Sequence, residues 1–197
     1  MKTLLTLIMT LFVTSSFALT SGTMAPDFKL QGVKSKKEVS LSDFKGKIVV
    51  LEWLNHGCPF IRKHYDSGNM QSLQKKYTGD GIVWLSIISS AKGQQGNVDA
   101  EQGLKDMETN KSNATDVLLD PTGETGKKYE AKTTPHMFVI DAKGTLVYQG
   151  AIDDHADADQ ASVKISKNYV AAALAEVVAG KKVTQPATKS YGCSVKY

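Results

Sequence analysis

The chain has 197 residues, 41% apolar and 22% charged, the proportions of a single soluble globular domain with short extensions. Its 24 basic and 20 acidic residues leave a net charge of +4, one unit of it from Lys2. That surplus is too small to indicate a nucleic-acid partner, and beyond the first residues no stretch is apolar for long enough to hold a mature chain in a membrane.

Residues 1–18 read as a cleaved signal peptide. Lys2 supplies the positive start, Leu4 to Val13 the apolar core, and Ser16-Phe17-Ala18 the small residues of a cleavage site. An uncleaved anchor is the alternative. This leader predicts export, to a periplasm or the extracellular space. The mature chain then divides into a domain over 19–180 and a tail over 181–197.

Asp27 to Leu30 alternates and predicts a short strand, with Val39-Ser40-Leu41 as its hairpin partner. Ser42 to Gly46 predicts one helical turn. Ile48 to Trp53 is a nearly continuous apolar run, as in a central strand buried on both faces. A helix opens at Pro59, breaks at Asp66-Ser67-Gly68-Asn69, and resumes from Met70 until Gly79-Asp80-Gly81. Ile82 to Ile88 is a second buried strand, and its Trp84, like Trp53, reads as core. A weakly amphipathic helix containing Val98, Leu104 and Met107 follows an Asn97 cap. Val117 to Leu119 predicts a strand and Gly123 to Tyr129 a short helix. Met137–Ile140 and Thr145–Tyr148 flank Asp141-Ala142-Lys143-Gly144, a hairpin turn. A last helix runs from a Ser166 cap to Ala179. Parallel strands joined by helices, then an antiparallel hairpin and a closing helix, predict an α/β fold of thioredoxin-like type with a mixed central sheet.

The chemistry gathers at Cys58. It stands where a buried strand ends and a helix begins, and Pro59 suits the first helical position. Free N–H groups and the positive end of a helix dipole stabilise a thiolate over a thiol. The plain alternative is a small buried cysteine. The reactive reading requires that the sulfur be ionised and reachable from solvent. Arg62, one helical turn on, is expected on the same face as Cys58, while Lys63 and His64 are expected to point to solvent. His56 is a proton donor, a metal ligand or a plain loop residue. Pro135, in Thr133-Thr134-Pro135 just before a strand, is expected to follow a cis peptide bond, with an ordinary trans proline at an edge strand as the alternative. Cys193 lies in a tail expected to be flexible. It is either a resolving thiol for Cys58, a static bridge to it, or a cysteine used between chains. Asp153, Asp154, Asp120 and Asp157 lack the spacing of a calcium loop and read as solvated acids.

These residues resemble the peroxiredoxin-like, AhpC/TSA-type redoxin branch of the thioredoxin superfamily. The resemblance rests on Ala25-Pro26-Asp27-Phe28-Lys29-Leu30, Val39 to Lys47, Gly57-Cys58-Pro59-Phe60 and Thr133 to Asp141. It implies a thiol-dependent oxidoreductase in which Cys58 attacks a peroxide or a disulfide, Cys193 resolves the product, and an external thiol restores both. No cofactor is required. The pattern also departs from the family. Asn55 stands where peroxiredoxins carry Thr or Ser, and Leu51 where they carry Pro. The neighbourhood of their catalytic Arg here holds Thr134-Pro135-His136. Ile61 stands where a thioredoxin has its second cysteine. Asn55 is expected as a hydrogen-bond donor to a peroxide. An antioxidant, peroxidase-like role is preferred to disulfide exchange. The competing reading is an exported metal-handling protein, with His56, Cys58 and His64 as a soft ligand set suited to Cu(I). A third is a non-catalytic adaptor with a permanent Cys58–Cys193 bridge.

Overall fold

The computed structural model describes residues 19–197, so the signal peptide read at 1–18 lies outside the described residues. In chain order the elements are β1 (Lys29–Gly32), β2 (Glu38–Ser40), β3 (Val49–Trp53), α1 (Pro59–Asp66), α2 (Asn69–Gly79), β4 (Val83–Ile88) and α3 (Ala100–Thr109). They continue with β5 (Asp116–Leu119), α4 (Glu124–Lys128), β6 (Thr133–Thr134), β7 (His136–Ile140), β8 (Leu146–Gly150), α5 (Tyr169–Val178) and β9 (Cys193–Ser194). One mixed sheet runs β2-β1-β5-β4-β3-β7-β8, with β3, β4 and β5 parallel and the other pairings antiparallel. This is the α/β arrangement that the element order predicts. No described helix is long and apolar enough to cross a membrane.

The sheet is packed on both faces. Val50 and Leu54 join Ile61, Tyr65, Met70, Leu73 and Leu174 in one core, under α1, α2 and α5. Val49, Leu51 and Trp53 join Phe28, Tyr129 and Phe138 in the other. The alternation follows from the two-residue period of a strand, and the unbroken apolar run from burial of both faces.

At three of the boundaries that differ from the sequence reading, another side chain takes the backbone group. The first strand starts at Lys29, since the Asp27 carboxylate accepts from the N–H groups of Phe28 (2.9 Å) and Ser42 (3.2 Å) and forms a turn. The third helix is capped by Asp99, which accepts from Gln102 N (2.8 Å), while the Asn97 amide donates to Ser90 O. The last helix is capped by Asn168, which accepts from Ala171 N (2.8 Å), while the Ser166 hydroxyl turns back to Ser162 O.

Phe138 stands at the centre of the second core, with its ring edge-on to those of Trp53 and Tyr129. Phe138→Ala should cost about 3–5 kcal/mol, the range for a large aromatic lost from a tightly packed core. Urea unfolding should show a lower midpoint with an unchanged slope.

Candidate active site

The strand β3 ends at Trp53, and Leu54 keeps one more sheet bond to Ile87 O (2.9 Å). The chain then folds sharply around Asn55. Its side-chain oxygen accepts from Gly57 N (2.9 Å), its amide donates to Gln95 O (3.1 Å), and its carbonyl accepts from Cys58 N (3.0 Å). Asn55 therefore builds the corner. One N–H of its amide is thus directed into the loop, at Gln95. Cys58 occupies the N-cap of α1, with Pro59 at the first helical position, as its place in the sequence suggests.

Across from this corner, Pro135 follows a cis peptide bond. The Cys58 thiol donates to Thr134 O (3.0 Å). Outside the main sheet, β6 pairs antiparallel with β9, in the register Thr133↔Ser194 and Thr134↔Cys193. The tail cysteine thus lies against the Cys58 corner. Both cysteines are free thiols. The tail is docked and hydrogen-bonded, not the loose segment expected from its composition. It covers Cys58, which is 0% exposed. The sulfur is at a helix start, as required, but it is sealed from solvent while the tail is seated.

Burial opposes ionisation of Cys58. It is outweighed by the Cys193 S–H, the Thr134 hydroxyl, and the backbone N–H groups of Cys193 and Ile61, which hold the thiol below its ordinary value. The Thr134 hydroxyl is buried and has no other hydrogen-bond partner among the described residues, so it is free to serve the thiolate. Cys193 is shifted the other way, up to about 11, by burial and by the neighbouring Cys58. The pair is therefore asymmetric: Cys58 ionises first and Cys193 keeps its proton.

The surrounding cations differ from expectation. Arg62 turns away from the sulfur. It pairs with Asp66 and donates to Asn110 (2.5 Å), with its side chain 40% exposed. Lys63 and His64, expected in solvent, are buried. Lys63 Nζ donates to His155 O (2.7 Å) and lies 3.5 Å from the Asp153 carboxylate and 3.4 Å from that of Asp157. Asp153 is thus a buried counter-charge and not a solvated acid. Asp120 is buried too, where it accepts from Ser89 and from Gly126 N. His64 contacts Tyr191 OH through Nε2 (3.1 Å) and Asn69 through Nδ1 (2.8 Å). His56 packs edge-on against Tyr65, and burial lowers its pKa to about 4. With both His64 nitrogens engaged, His56, Cys58 and His64 do not form a ligand set, and no metal-holding group of three occurs among the described residues.

Two parts of the site were not anticipated. Glu52, within β3, is fully buried and accepts from Trp84 Nε1 (2.9 Å), Ser86 (2.8 Å), Tyr65 OH (3.1 Å) and Gln74 (3.2 Å). Burial raises its pKa. The signal for it was visible: a single carboxyl within the run Val49-Val50-Leu51-Glu52-Trp53. The second part is Tyr191, whose hydroxyl donates to Asp153 and whose ring packs on Phe60 of α1. Its role depends on the folded path of the tail, which no local pattern encodes. An apolar cleft of about 480 Å³ lies at the other end of β3 and β7, lined by Phe44, Val49 and Ile140, away from both cysteines.

The fold is shared with solved structures. An uncharacterised conserved protein from Geobacillus kaustophilus is 26% identical, with a TM-score of 0.75 over 92% of this chain and 94% of its own. The exposed lipoprotein thioredoxin Etrx1 from Streptococcus pneumoniae is 28% identical, with a TM-score of 0.53 over 71% and 98%. The thioredoxin domain of a thiol-disulfide oxidoreductase from Bacteroides vulgatus, 23% identical with a TM-score of 0.54 over 75% and 98%, shares the fold. A search of curated proteins returns no match. The AhpC/TSA family model matches residues 21–149, which include β3, the Cys58 corner and the Thr134–Pro135 bond. With that match over most of its length and a thioredoxin-like fold around a cysteine pair, the chain belongs to the AhpC/TSA family of redoxins.

Proposed function

We propose that the protein is a dithiol–disulfide oxidoreductase whose redox pair is Cys58 and Cys193. The observation that carries this reading is the seating of Cys193 opposite Thr134, the residue whose carbonyl accepts from the Cys58 thiol (3.0 Å). The Cys58 thiolate attacks one sulfur of a substrate disulfide. A Cys58–substrate disulfide forms and the other substrate sulfur leaves as a thiolate. Cys193 gives up its proton, which the departing thiolate can take, and attacks Cys58. The Cys58–Cys193 bridge forms and the second substrate thiol is released. Two protein thiols are oxidised and one substrate disulfide is reduced, and an external dithiol resets the pair by the reverse exchange. Cys193 here is a resolving thiol, in preference to a static bridge or a contact between chains.

Disulfide exchange is favoured over the peroxidase-like role that the sequence suggested. Asn55, the donor expected for a peroxide, is engaged in the loop, and Arg62, expected beside Cys58, pairs with Asp66 and Asn110. Exchange asks only for a thiolate, a second thiol and room for an extended partner. Export fits both this chemistry and the likeness to an exposed lipoprotein thioredoxin, since disulfides persist outside the cytosol.

The test is to mix reduced protein with an oxidised peptide disulfide, and separately with hydrogen peroxide, and to follow the cysteines by mass spectrometry. The expected result is one peptide disulfide consumed per chain with a Cys58–Cys193 bridge formed. Cys58→Ser should abolish it, and Cys193→Ser should stop at a Cys58–peptide adduct. Peroxide consumed quickly with no response to the peptide would overturn the assignment in favour of a peroxidase. Silence with both would remove the redox reading.

Ultraviolet thiolate absorbance gives a second check. Cys58 should ionise below the ordinary thiol value. Cys193→Ala removes a donor to the thiolate, so the midpoint should rise and less thiolate should be present at neutral pH.

A further inference from the structure

The exchange proposed above meets an obstacle: Cys58 is 0% exposed while the tail is seated, so no outside disulfide can reach it. The segment from Thr188 to Tyr197 lies across the site as a strap. At one end the Thr188 hydroxyl accepts from Ala151 N (2.9 Å). At the other, Val195 N donates to Lys132 O (3.2 Å), Lys196 O accepts from Ala91 N (2.7 Å), and Tyr197 OH donates to Ala131 O (2.7 Å). Between these ends the strap crosses the cysteine corner with only the two residues of β9 paired to β6.

Gly192 makes the crossing possible. Its φ is +132°, and a Cβ there would collide with the carbonyl of Thr134. Next to it, the Tyr191 side chain ties this crossing to α1. Its ring centroid is 5.8 Å from that of Phe60 and 5.4 Å from Lys63 Nζ, and its hydroxyl meets both His64 Nε2 and the Asp153 carboxylate. Phe60, Lys63 and His64 all belong to the helix that begins at Cys58. The anchor two residues before Cys193 is therefore fixed to the same rigid element that carries the nucleophile.

We propose that Tyr191 is a positioning residue: its buried bond to Asp153 and His64 latches the strap over Cys58, setting both the access of outside disulfides and the reach of Cys193. The inference rests on the redox pair proposed above. While the latch is closed, Cys58 is shielded and Cys193 is held for attack. While it is open, Cys58 meets substrate. Closing it again brings Cys193 back to resolve the adduct. The ring and the hydroxyl separate the two contributions, since Tyr191→Phe keeps the packing on Phe60 and removes only the bond to Asp153 and His64.

Two measurements test this. In the Cys193→Ser protein, which cannot form the internal bridge, the limiting rate of Cys58 alkylation by iodoacetamide at high pH, with no disulfide present, reads opening of the strap alone. Adding Tyr191→Phe should raise that rate about tenfold, as expected for losing a hydrogen bond to a charged group. In the otherwise native chain, Tyr191→Phe should lower the equilibrium constant for forming the Cys58–Cys193 bridge against glutathione, also about tenfold, because Cys193 is less well held. A uniform loss of stability would not move the two in this paired way while the melting curve stays two-state. An unchanged alkylation rate, or an unchanged bridge constant, overturns the latch. Should Tyr191→Phe fail to fold, Gly192→Ala displaces the same crossing by steric collision and must also raise the alkylation rate. The alkylation result is independent of whether any substrate is turned over, so failure of the latch and failure of the redox reading are told apart.

Discussion

The site depends on one short pairing, that of Thr134 with Cys193. A two-residue strand contributes little by itself, yet it decides the state of the nucleophile. It excludes water from Cys58, which raises the cost of ionisation, and it supplies the S–H and N–H donors that lower it. The net effect is a thiol held below its ordinary pKa inside a closed pocket. A cysteine at a bare helix terminus would receive only the dipole and the free N–H groups. Here the foremost of the groups that lower the pKa, Cys193, comes from a segment more than a hundred residues away in the chain.

The rest of the fold keeps the two sides of that pairing in register. Cys58 is held from the sheet by β3 and the Asn55 turn. Thr134 is held by β7, which pairs with β3 from Val49↔Ile140 to Trp53↔His136. The two walls of the site are thus neighbouring strands of one sheet, and their separation is set by backbone hydrogen bonds. The tail closes the third side from outside the sheet. This division fits exchange chemistry, in which the nucleophile stays fixed and the cover yields.

Much of the scaffold was legible in the sequence. The apolar runs Ile48–Trp53 and Ile82–Ile88 could only be strands buried on both faces, and Cys58 before Pro59 marked the strand-to-helix corner. What was illegible is set by long-range packing. Lys63 and His64 look like solvated residues in any helical projection. They are buried because the loop from Asp153 to Asp157 folds over α1 and supplies an opposite charge. Arg62, which helical spacing put beside Cys58, finds Asp66 and Asn110 instead. The tail was misjudged for the same reason. Its Gly, Ser and Lys content suggests a loose end, while Thr188, Tyr191 and Tyr197 each dock at separate points that no local pattern brings together.

The buried pair of Lys63 and Asp153 carries a consequence for how this surface can drift. Their side chains are 0% and 2% exposed, so each charge depends on its partners: Lys63 on Asp153 and Asp157, Asp153 on Lys63 and the Tyr191 hydroxyl. Losing the lysine leaves the buried Asp153 carboxylate without its cation and costs several kcal/mol, about 3–5, whereas exchanging both for well-fitted apolar groups is close to neutral. Substitution at the two positions is therefore coupled: a relative that has given up the lysine should have given up the aspartate as well.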